Sequence, residues 1–350
     1  MRILHINLER GWRGGERQAL NIMMGLKDLG HANYLLARKN DVFIRHVRDK
    51  NFSVKVIKKP FFLSGPYLKK FDVVHAHEVR GLQLATLWRW YHRRPLVYTR
   101  SVVFMPSRNP FTVYKYNRVD HLIANSKDSM NMMLKWGVNP SRMSVIYGGI
   151  PLETCSDPLK VAALRLRFKG RKVIGCIASL EREKDHLTLI DAVSLINKTR
   201  NDLVFLIIGD GSLRSMLEQR TAAMGISNIS FEGYQDDPYS YYDVCDVITL
   251  TSREESISNA VLDAFLYRVP VVATRAGAIP EIVKDNETGL LVDIGNPYML
   301  ADAIMRMLDD DNLSRICCQN AYALLLKEFS VENMAKAYEL VYHNVLSHDR

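Results

Sequence analysis

Short apolar runs alternate with segments of helical periodicity along nearly the whole chain. In the first half, RILHINL, ANYLLAR, FDVVHAH, PLVYTRS, VDHLIANS and MSVIYGGI read as strands, and GGERQALNIMMGLKDLG as a loop and helix. In the second half, KVIGCIASL, LVFLIIGDG, ISFEGY, DVITLTS, PVVATR and GLLVD read as strands, separated by helical patterns such as DHLTLIDAVSLINK. Apolar strands joined through helices belong to parallel sheets covered on both faces. The chain is therefore expected to be α/β, with two doubly wound domains, residues 1–150 and 151–330. Gly148, Gly149 and Pro151 open the linker between them, which runs through the polar stretch ETCSDP. Ligands of open parallel sheets bind beyond the carboxyl ends of strands, so a cleft between the domains is the expected site.

Composition narrows the class. The 350 residues are 47% hydrophobic and 24% charged, which reads as a soluble globular protein. No uncharged apolar run approaches the roughly 18 residues of a membrane span. The start, MRILHINLER, reads as a first strand and not as a signal peptide. Cys155, Cys176, Cys245, Cys317 and Cys318 form no CxxC, which favours a reducing cytoplasm over a zinc site or disulfide frame.

The net charge of +9 hides an asymmetry. Residues 1–150 carry 26 Lys/Arg against 9 Asp/Glu, and residues 151–350 carry 21 against 29. Lys55, Lys58, Lys59, Lys69, Lys70, Arg89, Arg93, Arg94 and Arg100 contribute to the basic half. Such a field attracts anionic lipid, phosphorylated glycolipid or nucleic acid, or is a solvated face with no partner.

Five stretches could carry chemistry. In SREESISNAVLDAF, Glu255 and Asp263 stand eight apart. A strand precedes them, and Ser256, Ser258 or Asn259 is placed to cap the helix that follows. Glu255 is then in the loop and Asp263 inside the helix, with helix N-terminal N–H groups between them that suit a phosphate. Carboxylates suit sugar and ribose hydroxyls. The plain alternative is a polar loop and a capped helix. In CIASLEREKDHL, Lys184 sits between a strand and a helix, in reach of a diphosphate or simply on the surface. IIGDGSL, with Gly209, is a tight strand-to-helix turn but neither a GxGxxG nor a P-loop. Gly14 and Gly15 in RGWRGGERQAL allow close ligand approach or serve a structural turn. His75 and His77 in VVHAHEVRG end a strand, and alternation is expected to send one into the sheet and the other to the cleft or the opposite face. With no third ligand at metal spacing, they read as structural.

Taken in order, these stretches resemble the retaining, nucleotide-sugar-dependent glycosyltransferases of family 4, which have the GT-B fold. The resemblance covers nearly the whole chain: Gly14-Gly15-Glu16-Arg17, the strand Asp72 to His77, Gly148-Gly149-Ile150, Lys184, Gly209-Asp210-Gly211 and Phe231-Glu232-Gly233. Its most specific part is Glu255 through Asp263, followed by Pro270 to Thr274, Gly277, Pro280-Glu281 and Thr288-Gly289.

The resemblance implies roles. Glu255 holds donor-sugar hydroxyls, Asp263 the ribose, and the backbone of Ser258, Asn259 and Ala260 the diphosphate. Lys184 neutralises the leaving nucleoside diphosphate, Gly15 borders the donor phosphates, and His77 sits near donor sugar and acceptor. The catalytic set is Glu255, Lys184 and His77. No metal or other cofactor is expected, and Asp236-Asp237 reads as a turn before Pro238. The C-terminal helix, about 331–346, is expected to cross back onto the N-terminal, acceptor-side domain.

Two positions depart from the family pattern: Asp263 replaces the second Glu, and Ser179 stands where an Arg is common, five residues before the Lys. Arg182 is the candidate to supply that charge.

The implied activity is transfer of a glycosyl group, a hexosyl for instance, to a glycan or glycolipid acceptor in cell-envelope or lipopolysaccharide synthesis. It would take place in the cytoplasm, with peripheral contact to the inner face of an anionic membrane. An epimerase of the same fold and a non-catalytic nucleic-acid-binding protein are the alternatives. The chain has no nucleic-acid recognition motif, and Trp88, Trp90 and Tyr91 read as core as readily as stacking platforms.

Overall fold

The computed structural model describes residues 1–39, 41–100 and 110–347. The chain divides into two compact units, Met1–Pro151 with Glu328–Arg350, and Leu152–Lys327.

The first unit carries β1 (Arg2–Asn7), β2 (Ala32–Arg38), β3 (Ser53–Ile57), β4 (Val73–Ala76), β5 (Leu96–Arg100), β6 (His121–Ala124) and β7 (Met143–Val145). They pair in parallel in the order β3-β2-β1-β4-β5-β6-β7. Ser101, the last residue of the expected PLVYTRS strand, lies outside the described residues. β3 is a strand that the apolar pattern missed. Its sequence, SVKVI, buries only Ile57. An edge strand pairs on one side only, and a lysine there blunts unwanted pairing, so its apolar signal is weak.

The C-terminal helix Val331–Ser347 belongs to this unit and packs on the helix Gly14–Asp28. The two helices meet at Gly25, where a Cβ would lie 2.6 Å from Ala335 Cβ and 2.8 Å from Val331 Cγ1. Met334, Tyr338, Val341, Tyr342 and Val345 close over Ile3, Val73, Val97 and Ile123 of the sheet.

The second unit carries β8 (Lys172–Ile177), β9 (Leu203–Ile208), β10 (Ile229–Gly233), β11 (Val247–Leu250), β12 (Val271–Thr274) and β13 (Leu290–Val292). Their order is β10-β9-β8-β11-β12-β13, again all parallel. Ile174, Cys176, Phe205 and Ile207 join the core under the helices His186–Ile196 and Pro297–Asp309. Val173, Val204, Leu206 and Ile208 pack on the opposite face against Leu164, Phe168 and Tyr241. Both faces are covered, which is why these strands read as unbroken apolar runs.

In each unit the strand order reverses direction once, between β1 and β4 and between β8 and β11. Loops leaving the carboxyl ends of such a pair diverge and open a crevice. The sequence-predicted side chains fall at these two points.

Candidate active site

In the second unit, the loops after β8, β11 and β12 are fastened together. β8 runs into a turn at Ala178–Glu181. Gly209 (φ +145°) approaches the Ala178 carbonyl so closely that no Cβ would fit. A single 3-10 turn, Arg182–Lys184, leads to Asp185 in the left-handed region (φ 47°, ψ 49°), which starts the helix His186–Ile196. Asp185 is buried, accepts from Thr188 Oγ1 at 2.8 Å and pairs with Arg253 Nε at 2.9 Å. Two bonds tie the neighbouring loop to this turn: Arg253 N–H donates to the Glu183 carbonyl (2.8 Å), and Thr251 Oγ1 to that of Lys184 (2.8 Å).

These ties bring Lys184 Nζ to 2.5 Å from Glu255 Oε2, which also accepts from Ser252 Oγ at 3.0 Å. The side chains are only 19% and 12% exposed. From the loop after β12, Ala278 N–H donates to the Glu255 carbonyl at 3.0 Å. Gly277 (φ +48°) lies too close to that carbonyl for any Cβ.

The helix Asn259–Leu266 begins four residues after Glu255. Ser258 is its N-cap, in extended conformation, and its side chain makes no cap hydrogen bond. The positive end of the helix dipole therefore lacks the usual side-chain cap. Asp263, inside the helix, is 2% exposed. Glu255 in the loop and Asp263 in the helix do not share a helix face.

In the first unit, Gly14 and Gly15 open the helix Gly14–Asp28. Glu16 Oε2 accepts from Arg13 N–H at 3.1 Å, and burial pushes its carboxyl pKa up. A Cβ on Gly15 would meet nothing within 4 Å, so space is open at that point. Glu78 caps the helix Val79–Leu87, accepting from Arg80 and Gly81 N–H, each at 2.5 Å, and from Leu8 N–H at 3.1 Å. Burial outweighs these bonds and raises its pKa to about 6.

His75 and His77 are not split between faces as expected. Residues two apart on a strand share a face, and their rings lie 4.0 Å apart. The register sets His5 of β1 opposite His75. It supplies the third member that the sequence reading did not find: ligand atoms of the three histidines lie within 4.8 Å of one another. All three are buried, and desolvation lowers every pKa, that of His5 to about 4.

Most of their ring nitrogens already have partners. His5 bonds His77 and Asn33, each at 2.9 Å, while His75 bonds Thr99 and Tyr342, each at 2.8 Å. Tyr338 OH extends the chain to Thr99 at 3.0 Å. The donor set is thus knitted into a hydrogen-bonded network, with His77 Nδ1 as the ring nitrogen that has no partner among the described residues.

Two family models match the chain: "Glycosyltransferase Family 4" over residues 12–154 and "Glycosyl transferases group 1" over residues 171–310. The chain belongs to the family 4 glycosyltransferases, with the GT-B fold. It is 28% identical over 183 residues to the N-acetyl-alpha-D-glucosaminyl L-malate synthase of Bacillus anthracis, covering 52% of this chain and 48% of that one. It is 33% identical over 161 residues to the lipopolysaccharide core biosynthesis glycosyltransferase LpsE of Rhizobium meliloti, covering 45% and 46%. The chain spans about half the length of these curated relatives. Among solved structures, HepE of Anabaena in complex with UDP and glucose superposes with a TM-score of 0.90 at 22% identity, over 98% of this chain and 100% of that one, a likeness of fold.

For a family 4 glycosyltransferase, the positions named from sequence fall into two groups. Lys184, Glu255, Ser258, Asn259 and Ala260 gather at the switch point of the second unit. Ser179 is exposed on the turn before Lys184, and Arg182 is exposed within the Lys184 turn, with no ion pair among the described residues. Gly14, Gly15 and His77 lie at the switch point of the first unit. His5, Asn33, Thr99 and Tyr342 escaped sequence reading because only strand register and the return of the C-terminal helix place them beside His75 and His77.

The basic surface also needs correction. Arg100 is 1% exposed, and its Nη1 donates to Tyr116 OH at 2.7 Å. Arg89 donates to Asp120 at 2.5 Å and to the Arg94 carbonyl. The Arg100 guanidinium is thus interior, and that of Arg89, partly exposed, is neutralised by Asp120.

Proposed function

We propose that the chain is a retaining enzyme that moves a sugar from a nucleoside diphosphate to an acceptor hydroxyl. The observation that carries this reading is the Lys184–Glu255 pair beside the N-terminus of the helix Asn259–Leu266. A departing diphosphate needs positive potential. Lys184 and the helix N-terminus supply it from two directions without a resident metal.

In the free protein the Lys184 ammonium is neutralised by Glu255. A bound donor gives each a better partner: the diphosphate takes the ammonium, and sugar hydroxyls donate to the carboxylate. Asp263 is assigned to the ribose, and the backbone at Ser258 to Ala260 to the phosphates. The acceptor hydroxyl attacks the anomeric carbon on the face the diphosphate leaves: the bond from that carbon to the phosphate oxygen breaks, the new glycosidic bond forms, and the hydroxyl proton passes to the departing phosphate oxygen. Positioning and leaving-group stabilisation are then the protein's main contributions. The likeness to the lipopolysaccharide core glycosyltransferase LpsE supports a glycan or glycolipid acceptor of the cell envelope, and we place the reaction at the cytoplasmic face of the membrane.

A thermal-shift screen against UDP-, GDP-, ADP- and dTDP-sugars tests the donor, followed by NMR of the product's anomeric configuration. A donor-specific shift with retained configuration is expected. An inverted product overturns the retaining assignment. Release of an epimerised sugar without acceptor makes the protein an epimerase.

A further inference from the structure

The first unit exposes a second feature that sugar transfer does not use. The 3-10 segment Phe61–Lys70 packs against the helices Val79–Leu87 and Arg89–His92. This part of the surface carries Phe62 at 50% exposure, Leu63 at 66%, Leu87 at 59% and Trp90 at 71%. Trp90, which the sequence left open between core and surface, is thus the most exposed of the four.

The exposure is held in place. Trp88 Nε1–H donates to the Phe62 carbonyl at 2.7 Å, and the Trp88 ring stacks on Trp90 at 6.0 Å between centroids. Gly65 lies so close against the Trp88 ring that any Cβ would collide with it. Phe62 and Trp90 are therefore fixed to one anchor residue from two elements.

Cations surround the apolar group. Lys69, Arg93 and Arg94 line a concavity of about 510 Å³ together with Trp90 and Tyr91. Lys55 and Lys70 line a second, of about 340 Å³, together with Leu63 and Tyr67. No acidic side chain lines either one. The sequence has no Asp or Glu from 50 to 71, nor from 79 to 119. Among the described residues none of these five cations is in an ion pair.

We propose that this face docks on the headgroup layer of an anionic phospholipid bilayer. Trp90 and Phe62 match the interfacial level, where aromatic rings sit between headgroups and acyl chains. Leu63 and Leu87 reach into the apolar boundary, while Lys69, Arg93 and Arg94 meet lipid phosphates. A basic face with aromatic rings also fits single-stranded nucleic acid. The two exposed leucines decide between them: they offer no stacking or hydrogen bond to a base, and gain only from hydrocarbon. The face lies in the first unit, whereas the proposed diphosphate and sugar contacts of Lys184, Glu255 and Asp263 lie in the second. The two proposals therefore stand or fall separately.

Co-sedimentation of the full chain with vesicles tests this, using phosphatidylcholine alone and an equimolar mixture with phosphatidylglycerol. Strong preference for the anionic vesicles, weakened by salt, is expected. Lys69→Glu with Arg93→Glu lowers anionic binding by roughly 25-fold or more, at about fivefold for each cation lost. Trp90→Ser with Leu63→Ser weakens binding to the same vesicles while the salt dependence persists. Brominated lipid quenches tryptophan emission in the wild type and less in Trp90→Phe. Far-UV circular dichroism melts verify that the variants fold. Equal partition onto the two vesicle types, or binding that neither double variant changes, overturns the proposal. So does binding of a single-stranded oligonucleotide without binding of vesicles.

Discussion

His5 Nδ1 lies 2.9 Å from His77 Nε2 in the interior of the first unit, and Asn33 decides which of the two carries the proton between them. Asn33 Nδ2 donates to the His31 carbonyl at 3.0 Å, which fixes the amide and turns Oδ1 towards His5 Nε2. An amide oxygen only accepts, so His5 Nε2 holds the proton. A neutral imidazole has one N–H, so His5 Nδ1 is the acceptor and His77 Nε2 the donor. His77 Nδ1 is then left as a lone pair.

The prediction is a single neutral tautomer of His77 at pH 7, protonated on Nε2, read from imidazole nitrogen shifts of histidine-labelled protein. Asn33→Leu removes the acceptor and mixes the tautomers, whereas Asn33→Asp, still an acceptor, preserves the assignment. A wild-type His77 protonated on Nδ1 would contradict this chain of donors.

Buried histidines in both units, His5 in the first and His186 in the second, contribute to the acid sensitivity of the fold. Desolvation lowers the pKa of His5 and of His186 to about 4. Between about 4 and 6.5 the unfolded chain binds these protons and the folded chain does not. Stability therefore falls as pH drops through that window, by about 3 kcal/mol for each group at its full shift. Glu78, raised to about 6, acts in the opposite sense, and its contribution fades as pH rises from about 4.5 to 6.

His186 is the cleaner test, because neither of its ring nitrogens has a partner among the described residues. His186→Leu should flatten the pH dependence of urea-unfolding free energy in this window by about 1.4 kcal/mol per pH unit. An unchanged slope would show that His186 is protonated in the folded state.

The architecture was readable because covered parallel strands leave unbroken apolar runs. The Glu255 to Asp263 stretch was readable because loop, helix start and both carboxylates are contiguous. What stayed hidden depends on register or on shape. SVKVI lacks an apolar run because an edge strand is half-solvated. His5 is seventy residues from His75 and becomes its neighbour only through the β1–β4 pairing. Arg100 counts as a surface charge until Tyr116 is seen over it. The exposure of Trp90 follows from Trp88 having taken the inner position.

Gly277 should tolerate no side chain. Its φ of +48° disfavours any L-residue, and a Cβ would run into the Glu255 carbonyl. Gly277→Ala is expected to destabilise the second unit by about 1 kcal/mol or more and to displace the Glu255 loop. Thermal melts together with donor titrations check it. Wild-type melting and donor affinity would mean that the loop absorbs the methyl group without moving Glu255.

Asp263 and Glu255 should separate by ligand part. Asp263→Ala weakens binding of the nucleoside diphosphate itself, because its assigned partner is the ribose. Glu255→Ala leaves that binding largely intact and weakens discrimination for the sugar. Calorimetry with the nucleoside diphosphate and with the full donor distinguishes them. Equal losses for both ligands in both variants would remove the division.

Lys184 carries the largest predicted effect. Removing one preorganised donor to a developing anion typically costs about 2.7–4 kcal/mol, a rate loss on the order of a hundredfold to a thousandfold. Lys184→Ala should lower kcat by that order. It also leaves the Glu255 carboxylate, 12% exposed, without its cation, so the melting temperature should fall as well. Glu255→Gln in the same chain removes that stranded charge. The double variant should therefore regain stability but not turnover. Turnover of the double variant is read against Glu255→Gln alone: a catalytic lysine adds its own rate loss to that of Glu255→Gln, whereas a lysine that only neutralises its neighbour adds none.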